Sequence, residues 1–161
     1  MGARTQWDRQ FFEAAVAEAE QGFSEGGIAI GSSLQAGDAL LGAGRNRRVQ
    51  DEDPVAHAEI NCLHNVGRRA AYLDTVLYTT LAPCAMCTGA VILFKIPTLV
   101  VGESWTFPGE LELLESRGVE VVLLEDRRCY ELMQRFIEQN PEIWNEDIAE
   151  LGHPDKRKPG P

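Results

Sequence analysis

Apolar residues in the first half of the chain follow first a helical and then a strand-like spacing. Within residues 5–21 they recur at intervals of three and four, which predicts a helix, and the glycines that follow predict its end. Residues 28–34 and 39–43 predict two strands, and the turn residues between them predict a hairpin. A polar loop then leads to a proline, after which residues 55–69 are predicted to form a second helix.

The second half continues as alternating strands and helices. The predicted strands are residues 75–80, 99–102 and 119–124, and the predicted helices are residues 83–94, 109–117, 127–138 and 142–151. This alternation, with the opening hairpin, predicts a three-layer α/β/α sandwich around a mixed sheet of about five strands. We expect it to occupy a single domain, residues 1–152, followed by a disordered tail over residues 153–161.

Length and composition restrict the class of protein. At 161 residues, 44% of them hydrophobic, the chain fits one ordinary globular domain. No apolar run reaches the roughly 18–20 residues that a membrane helix needs, and the N-terminus lacks the apolar core of a signal peptide. Four cysteines in such a chain indicate a reducing compartment. We therefore expect a cytoplasmic protein with no membrane partner.

The charge balance argues against a polyanionic ligand. The formal net charge is −10, and the basic residues are scattered along the chain. A protein that binds a nucleic-acid backbone needs a basic surface. The sequence therefore predicts a small-molecule substrate and no nucleic-acid partner.

Two short motifs carry the candidate chemistry. The first contains His57, and the second, Pro83-Cys84-Ala85-Met86-Cys87, contains two cysteines three residues apart at the start of a predicted helix. That spacing puts Cys84 and Cys87 on one helix face, and the helix N-terminus lowers the pKa of their thiols. One imidazole and two thiolates give Zn²⁺ three protein ligands and leave the fourth position for water, as in catalytic zinc sites.

Glu59 is the candidate proton shuttle of this site. It lies two residues after His57, where it can reach the zinc-bound water without binding the metal. Two thiolates and a neutral imidazole leave the ion with a formal charge of about zero, so its water is less acidic than in a three-histidine site and a neighbouring base is useful. A structural zinc module for protein binding is the non-enzymatic alternative.

The two motifs together match the H-x-E…P-C-x-x-C signature of zinc deaminases that act on nucleobases. From about Trp7 to Glu150 the chain also resembles fungal-type cytosine deaminases, within the cytidine/deoxycytidylate deaminase superfamily. The supporting stretches are residues 24–28, 77–81, 87–90, 101–103 and 144–148. The last stretch, with its Trp-x-Glu-Asp sequence, is more specific than the cysteine motif, which many deaminases share.

The resemblance implies a reaction and an assembly. It implies hydrolytic deamination of a free nucleobase, with cytosine converted to uracil and ammonia. Zinc-bound hydroxide would be the nucleophile and Glu59 would move the protons. The alternatives are another small aminated heterocycle, such as guanine, a triazine or a creatinine-like ring, and a tRNA adenosine deaminase. The resemblance also implies a homodimer.

The resemblance further implies how the polar edge of the base is bound. The side-chain amide of Asn46 would bind the base carbonyl, assisted by the backbone N–H of Ala58. Asp147 would accept a ring N–H, which a free base has where a nucleoside carries its sugar. Ala58 stands where we expect glycine in fungal-type enzymes, so this substitution bears on pocket shape and not on the metal.

The faces of the base would meet apolar walls. The resemblance implies that Phe107 and Trp144 stack on the base and close over it, and that Ile30 packs beneath the ring. Flat neutral heterocycles are commonly bound in this way, by aromatic faces and a few polar groups at their edge. Asn145 replaces an expected aromatic residue, which like Ala58 bears on pocket shape and substrate identity. Ala29 replaces an expected proline, and none of the three substitutions touches the metal.

Overall fold

The computed structural model describes residues 4–150 and 160–161 of the chain. Its five strands form one mixed sheet in the order β2-β1-β3-β4-β5. They are β1 (Gly31–Ala36), β2 (Ala39–Arg45), β3 (Thr75–Leu81), β4 (Thr98–Glu103) and β5 (Glu120–Leu123). The β1 strand pairs antiparallel with both β2 and β3, whereas β3, β4 and β5 run parallel. The predicted mixed sheet is confirmed.

Within residues 4–150, six helices cover the sheet. They are α1 (Arg9–Ser24), α2 (Ala58–Val66), α3 (Ala85–Leu93), α4 (Leu111–Ser116), α5 (Arg127–Gln139) and α6 (Pro141–Asp147). Two of them begin at aspartate caps, since Asp8 and Asp126 accept hydrogen bonds from the backbone N–H groups of Gln10 and Arg128 at 2.9 Å. Pro141 occupies the first turn of α6, where its missing N–H costs no hydrogen bond.

The helices form two layers, one on each face of the sheet. On one face, α2, α3 and α4 pack against side chains that include Leu77 and Leu99. On the other face, α1 and α5 pack against side chains that include Val76 and Tyr78. Because neighbouring strand residues point to opposite faces, β3 contributes to both layers, and all seven of its residues are buried. The predicted α/β/α sandwich is thereby confirmed.

A third apolar cluster closes one end of the molecule. It joins the segment before β1, the end of β3, α5 and α6, and contains Ile30, Leu81, Phe136 and Trp144. The site described below lies at this end. One glycine helps to position it: a Cβ atom at Gly44 of β2 would lie 2.4 Å from the backbone nitrogen of Cys62, so its absence lets α2 lie close to β2.

Several predicted boundaries differ from the structure. Helix α1 begins at Arg9 and not at residue 5, because Asp8 caps it, and it continues through Gly22 to Ser24. Helix α6 ends at Asp147 and not at residue 151, and Ala149 adopts a left-handed conformation with φ 55°. The predicted tail lies outside the described residues except for 160 and 161, and the single domain over residues 1–152 stays a prediction. Among the described helices, none has the length and apolarity to span a membrane.

Candidate active site

The two sequence motifs meet where two helices begin. His57 is the N-terminal cap residue of α2 and Cys84 is the N-terminal cap residue of α3, both with extended backbone conformations. The Nδ1 atom of His57 lies 3.4 Å from the Sγ atom of Cys84. Ligand atoms of His57, Cys84 and Cys87 all lie within 4.8 Å of one another. Two helix N-termini therefore converge on one group of candidate metal ligands.

This group fits a zinc ion. In a tetrahedral site, Zn–S bonds of about 2.3 Å and Zn–N bonds of about 2.0 Å place a sulfur and a nitrogen about 3.5 Å apart. The observed separation of 3.4 Å between Cys84 and His57 agrees with that value. Among the described residues the group has three members, and two of them face a pocket. The arrangement therefore leaves a fourth position for water or substrate.

The thiols are prepared for metal binding. The hydrogen bond with Cys87, aided by His57, lowers the pKa of Cys84 to about 4, although burial opposes this. The same contact with Cys84, together with burial, raises the pKa of Cys87. One thiolate is thus stabilised by the remaining thiol proton. A zinc ion would displace that proton, since thiolates and not thiols are its ligands.

The remaining ring nitrogen of His57 contacts α6. Its Nε2 atom lies 3.1 Å from Oδ1 of Asp147, whose side chain is 2% exposed. Burial alone would lower the pKa of His57, but Asp147 and Cys84 together raise it to about 10. Nδ1 faces Cys84, so Nε2 is the ring nitrogen on the side of the carboxylate. Metal-binding histidines are commonly oriented by such a carboxylate partner.

Glu59 lies in the first turn of α2 and is 4% exposed. Burial raises the pKa of its carboxyl group, while contacts with Cys87 and Thr79 oppose the rise. The hydroxyl of Thr79 on β3 donates a hydrogen bond to Oε1 of Glu59. A carboxyl group with a raised pKa can both accept and return a proton near neutral pH, as a general acid–base requires.

A pocket with about 310 Å³ of empty space, part of it open to solvent, lies beside the metal-binding group. Nine of the ten predicted site residues line it, and the tenth, Cys87, is fully buried and belongs to the metal-binding group. The nine are Ile30, Asn46, His57, Ala58, Glu59, Cys84, Phe107, Trp144 and Asp147.

Asn46 presents its amide group to this pocket in a fixed orientation. Its side-chain oxygen accepts a hydrogen bond from the backbone N–H of Arg48 at 2.9 Å. Its Nδ2 atom therefore points the other way, where it lies 3.4 Å from Oδ2 of Asp147. The amide N–H groups are thus available as donors, next to a carboxylate that can only accept.

Two aromatic rings form the apolar side of the pocket. Phe107, in the segment between β4 and α4, meets Trp144 of α6 edge to face, with ring centroids 6.3 Å apart and an interplanar angle of 86°. Trp144 is 3% exposed and belongs to the apolar cluster with Ile30. Such pairs bring large apolar surfaces together in a defined geometry.

Some residues of this region were not predicted from sequence. Thr79 contacts Glu59, and the alternation of side chains along β3 could have indicated that it faces α2. Leu81, Ala82 and Ile148 also line the pocket. Arg48 contacts α6, and its position two residues after Asn46 gave no signal of that contact.

The fold and the metal-binding group together define a zinc-dependent deaminase site. The family model of the cytidine and deoxycytidylate deaminase zinc-binding region matches residues 5–103. The chain is 44% identical to a cytosine deaminase of Candida albicans over 146 residues, which cover 89% of this chain and 97% of that protein. The chain belongs to the cytidine and deoxycytidylate deaminase family, in which this region binds zinc.

More distant relatives share part of the chain. A tRNA-specific adenosine deaminase of Buchnera aphidicola is 36% identical over 101 residues, which cover 61% of this chain and 62% of that protein. Among solved structures, a tRNA:A34 deaminase has a TM-score of 0.68 at 23% identity, covering 78% of this chain and 99% of that one. A guanine deaminase of Nitrosomonas europaea has a TM-score of 0.62 at 21% identity, covering 83% and 86%. At these identities the two structures establish the shared fold alone.

Proposed function

We propose that this protein hydrolyses free cytosine to uracil and ammonia. The observation that carries the proposal is one small pocket that combines the His57–Cys84–Cys87 group, a buried carboxyl group and the aromatic and acidic residues of α6. The 44% identity to the Candida albicans cytosine deaminase extends over nearly the whole length of both chains, which favours this substrate over the others considered.

The three donor atoms would hold the zinc ion. When bound, zinc polarises a water molecule so that it becomes a nucleophile at neutral pH. Asp147 would keep the ring of His57 oriented, with Nε2 protonated and Nδ1 free to bind the metal. Asp147 is also an acceptor with spare lone pairs, so it can bind the ring N–H of a base without giving up this contact.

Glu59 would carry the protons of the reaction. It takes one proton from the attacking water and gives it to the ring nitrogen beside the amino-bearing carbon. It then passes the second water proton to the leaving amino group, so that ammonia departs and the carbonyl of uracil forms. The buried position supports this role because burial raises the pKa of the carboxyl group. The hydrogen bond from Thr79 holds the group in place beside the metal-binding residues.

The pocket would select a free base over a nucleoside. Phe107 and Trp144 limit its height, and Asn46 and Asp147 define a polar edge on which a carbonyl and a ring N–H can be bound. A sugar at that ring nitrogen would remove the N–H and leave the buried carboxylate without a partner. Sites built around such a hydrogen bond discriminate strongly against analogues that lack it.

A substrate panel tests the proposal. Zinc-loaded protein is incubated with cytosine, cytidine, guanine, a triazine, creatinine and an adenosine-containing tRNA, and ammonia release is followed. We expect turnover of cytosine that disappears after zinc removal and returns when zinc is restored. Turnover of guanine or of tRNA adenosine in preference to cytosine would overturn the proposed substrate, and a zinc-loaded protein inactive on the whole panel would favour a structural zinc module.

We also propose that the protein acts as a homodimer in the cytoplasm. The outer face of α2 and α3 exposes large apolar side chains, among them Met86, Leu93 and Phe94, with Leu93 71% exposed. All four cysteines are free thiols, which suits a reducing compartment. Exposed apolar patches of this kind mark interaction sites, and a second copy of the chain is the proposed occupant.

The mass of the protein in solution tests the dimer. We expect light scattering after gel filtration to give twice the chain mass, and Leu93→Glu to give the single-chain mass. Leu40→Glu is the matched control, because Leu40 is also exposed, at 47%, but lies on the hairpin strand β2. A monomeric wild-type protein would contradict the proposal.

A further inference from the structure

Arg48 joins the loop after β2 to the last helix of the described chain. Its Nε atom lies 3.3 Å from Oε2 of Glu146, and its Nη1 atom lies 3.7 Å from Oδ1 of Asp147. The same Nη1 atom donates a hydrogen bond to the backbone carbonyl of Pro54 at 3.3 Å. One guanidinium group therefore contacts two consecutive residues of α6 and the segment that leads to His57.

The burial of this group distinguishes it from ordinary surface ion pairs. The side chain of Arg48 is 20% exposed, and that of Asp147 is 2% exposed. The planar guanidinium group can serve several acceptors at once, which an ammonium group at this position could not do equally well. Partly buried charge pairs are also screened less by solvent than exposed ones.

Helix α6 needs such support. It is seven residues long, and it places Trp144 and Asp147 over the pocket. Isolated helices of this length are not stable in water, so tertiary contacts must hold it in place. On its inner side Trp144 packs into the apolar cluster, and at its end Arg48 contacts Glu146 and Asp147.

We propose that Arg48 is a positioning residue that holds α6 closed over the pocket. The inference deepens the proposed function, on which its kinetic consequences rest. Arg48 touches neither the reacting atoms nor the metal-binding group in this arrangement. It acts through Asp147 and Trp144, whose binding positions depend on how α6 lies.

The proposal predicts a specific kinetic pattern for Arg48→Met. If α6 is closed in only a fraction of the molecules, the apparent affinity for the base falls to that fraction of its value in the fully closed protein. Trp144 and Asp147 contact substrate and transition state alike, so we expect KM to rise roughly five- to twentyfold while kcat changes less than about threefold. Arg48→Lys should recover part of the loss. The orientation of Asn46 should be unaffected, since it depends on the backbone N–H of Arg48.

Arg47→Met is the matched control. Arg47 lies in the same loop and has a comparable exposure, but it pairs with Asp51 at 2.8 Å and lies 3.8 Å from Glu25, away from α6. Glu146→Gln is a second test variant that leaves the buried residues intact, because the side chain of Glu146 is 55% exposed. Glu146→Gln should also raise KM, but by less than Arg48→Met.

Hydrogen exchange of the α6 amides tests the inference without relying on activity. In zinc-loaded, substrate-free protein, amides of residues 143–148 should exchange faster in Arg48→Met and Glu146→Gln than in wild type and Arg47→Met.

Equal exchange in all four proteins would overturn the proposal, as would a loss of kcat at unchanged KM. If Arg48→Met loses zinc or unfolds, the comparison of Glu146→Gln with Arg47→Met decides. If wild type does not deaminate cytosine, the proposed function fails while the exchange comparison still decides the role of Arg48.

Discussion

The Nε2 atom of His57 and the Oδ1 atom of Asp147 lie 3.1 Å apart, although 90 residues separate them in the sequence. This contact links the metal-binding group to the helix that carries the base-binding residues. A carboxylate that orients a metal-binding histidine contributes to metal affinity, typically by a factor of about 10–100. Asp147 therefore lies where both metal binding and base binding depend on it.

Asp147→Ala should lose most cytosine turnover and weaken zinc binding by roughly 10- to 100-fold. The first effect follows from the lost acceptor for the ring N–H, and the second from the lost partner of His57. Competition with a chromophoric chelator measures the zinc affinity, and turnover is measured at saturating zinc. Glu142→Ala is the control, since Glu142 is exposed on the same helix. Unchanged zinc affinity in Asp147→Ala would show that the contact does not support the metal site.

Glu59→Gln should keep zinc and the fold but lose turnover. A general acid–base contributes roughly 10²- to 10⁴-fold to a rate, and the loss should be at least that large if Glu59 carries every proton. Thr79→Val should lose less, since it removes a hydrogen bond to Glu59 and leaves the carboxyl group. Single-turnover rates at measured zinc content provide the comparison. Turnover of Glu59→Gln near the wild-type level would mean that another group moves the protons.

A single site predicts about one bound zinc ion per chain, and Cys84→Ala should abolish this binding. Zinc present at a thousandfold its Kd adds about 4 kcal/mol to the free energy of unfolding. Its loss should lower Tm by roughly 8–16 °C in a domain of this size. Atomic absorption and thermal unfolding measure the two effects. Cys129→Ala is the matched control. This variant should keep its zinc, because Cys129 is buried on the opposite face of the sheet.

Tyr78 should make the protein less stable at high pH. Its buried hydroxyl donates to Gln35 and accepts a hydrogen bond from the backbone N–H of Asp8 at 2.8 Å. Burial raises the pKa of Tyr78 to about 12, whereas the pKa of tyrosine in an unfolded chain is about 10. The folded state disfavours the ionised phenol of Tyr78. The stability that the neutral phenol contributes is therefore fully present below pH 10 and is lost as the pH rises through 12.

The expected loss between these pH values is on the order of 2 kcal/mol. Urea unfolding at a series of pH values measures it, with Tyr78→Phe as the comparison. That variant should be less stable than wild type at neutral pH, because the N–H of Asp8 loses its acceptor, and the difference should narrow toward pH 12. A difference that stays constant over this range would contradict the assignment.

Part of the metal-binding group was predictable from the sequence because its two cysteines are close together in the chain. Cys84 and Cys87 lie within one helical turn, and a proline precedes them, so their spacing alone indicates a shared face. The mixed sheet was predictable for a similar reason, since a hairpin and alternating β-branched strands are short-range patterns. The resemblance to a known family supplied the remaining site residues, and the structure brings those side chains to one pocket.

Contacts between distant segments were not predictable in this way. Nothing near Asp147 in the sequence indicates that its carboxylate meets His57, and nothing near Arg48 indicates α6. Helix α6 was predicted to continue to residue 151, because its polar pattern carries no end signal, yet the structure ends it at Asp147. These features depend on how α6 packs against the end of the sheet that carries the site. Only the three-dimensional structure shows that packing.

The most direct test of the account compares cytosine with cytidine on one zinc-loaded sample. Steady-state ammonia release is measured for both substrates, with the Glu59→Gln variant as the background. We expect turnover of cytosine, with kcat/KM for cytidine lower by at least about 10⁴-fold, because the buried acceptor loses its hydrogen bond. A protein that prefers cytidine, or that deaminates neither substrate with zinc bound, would contradict the account.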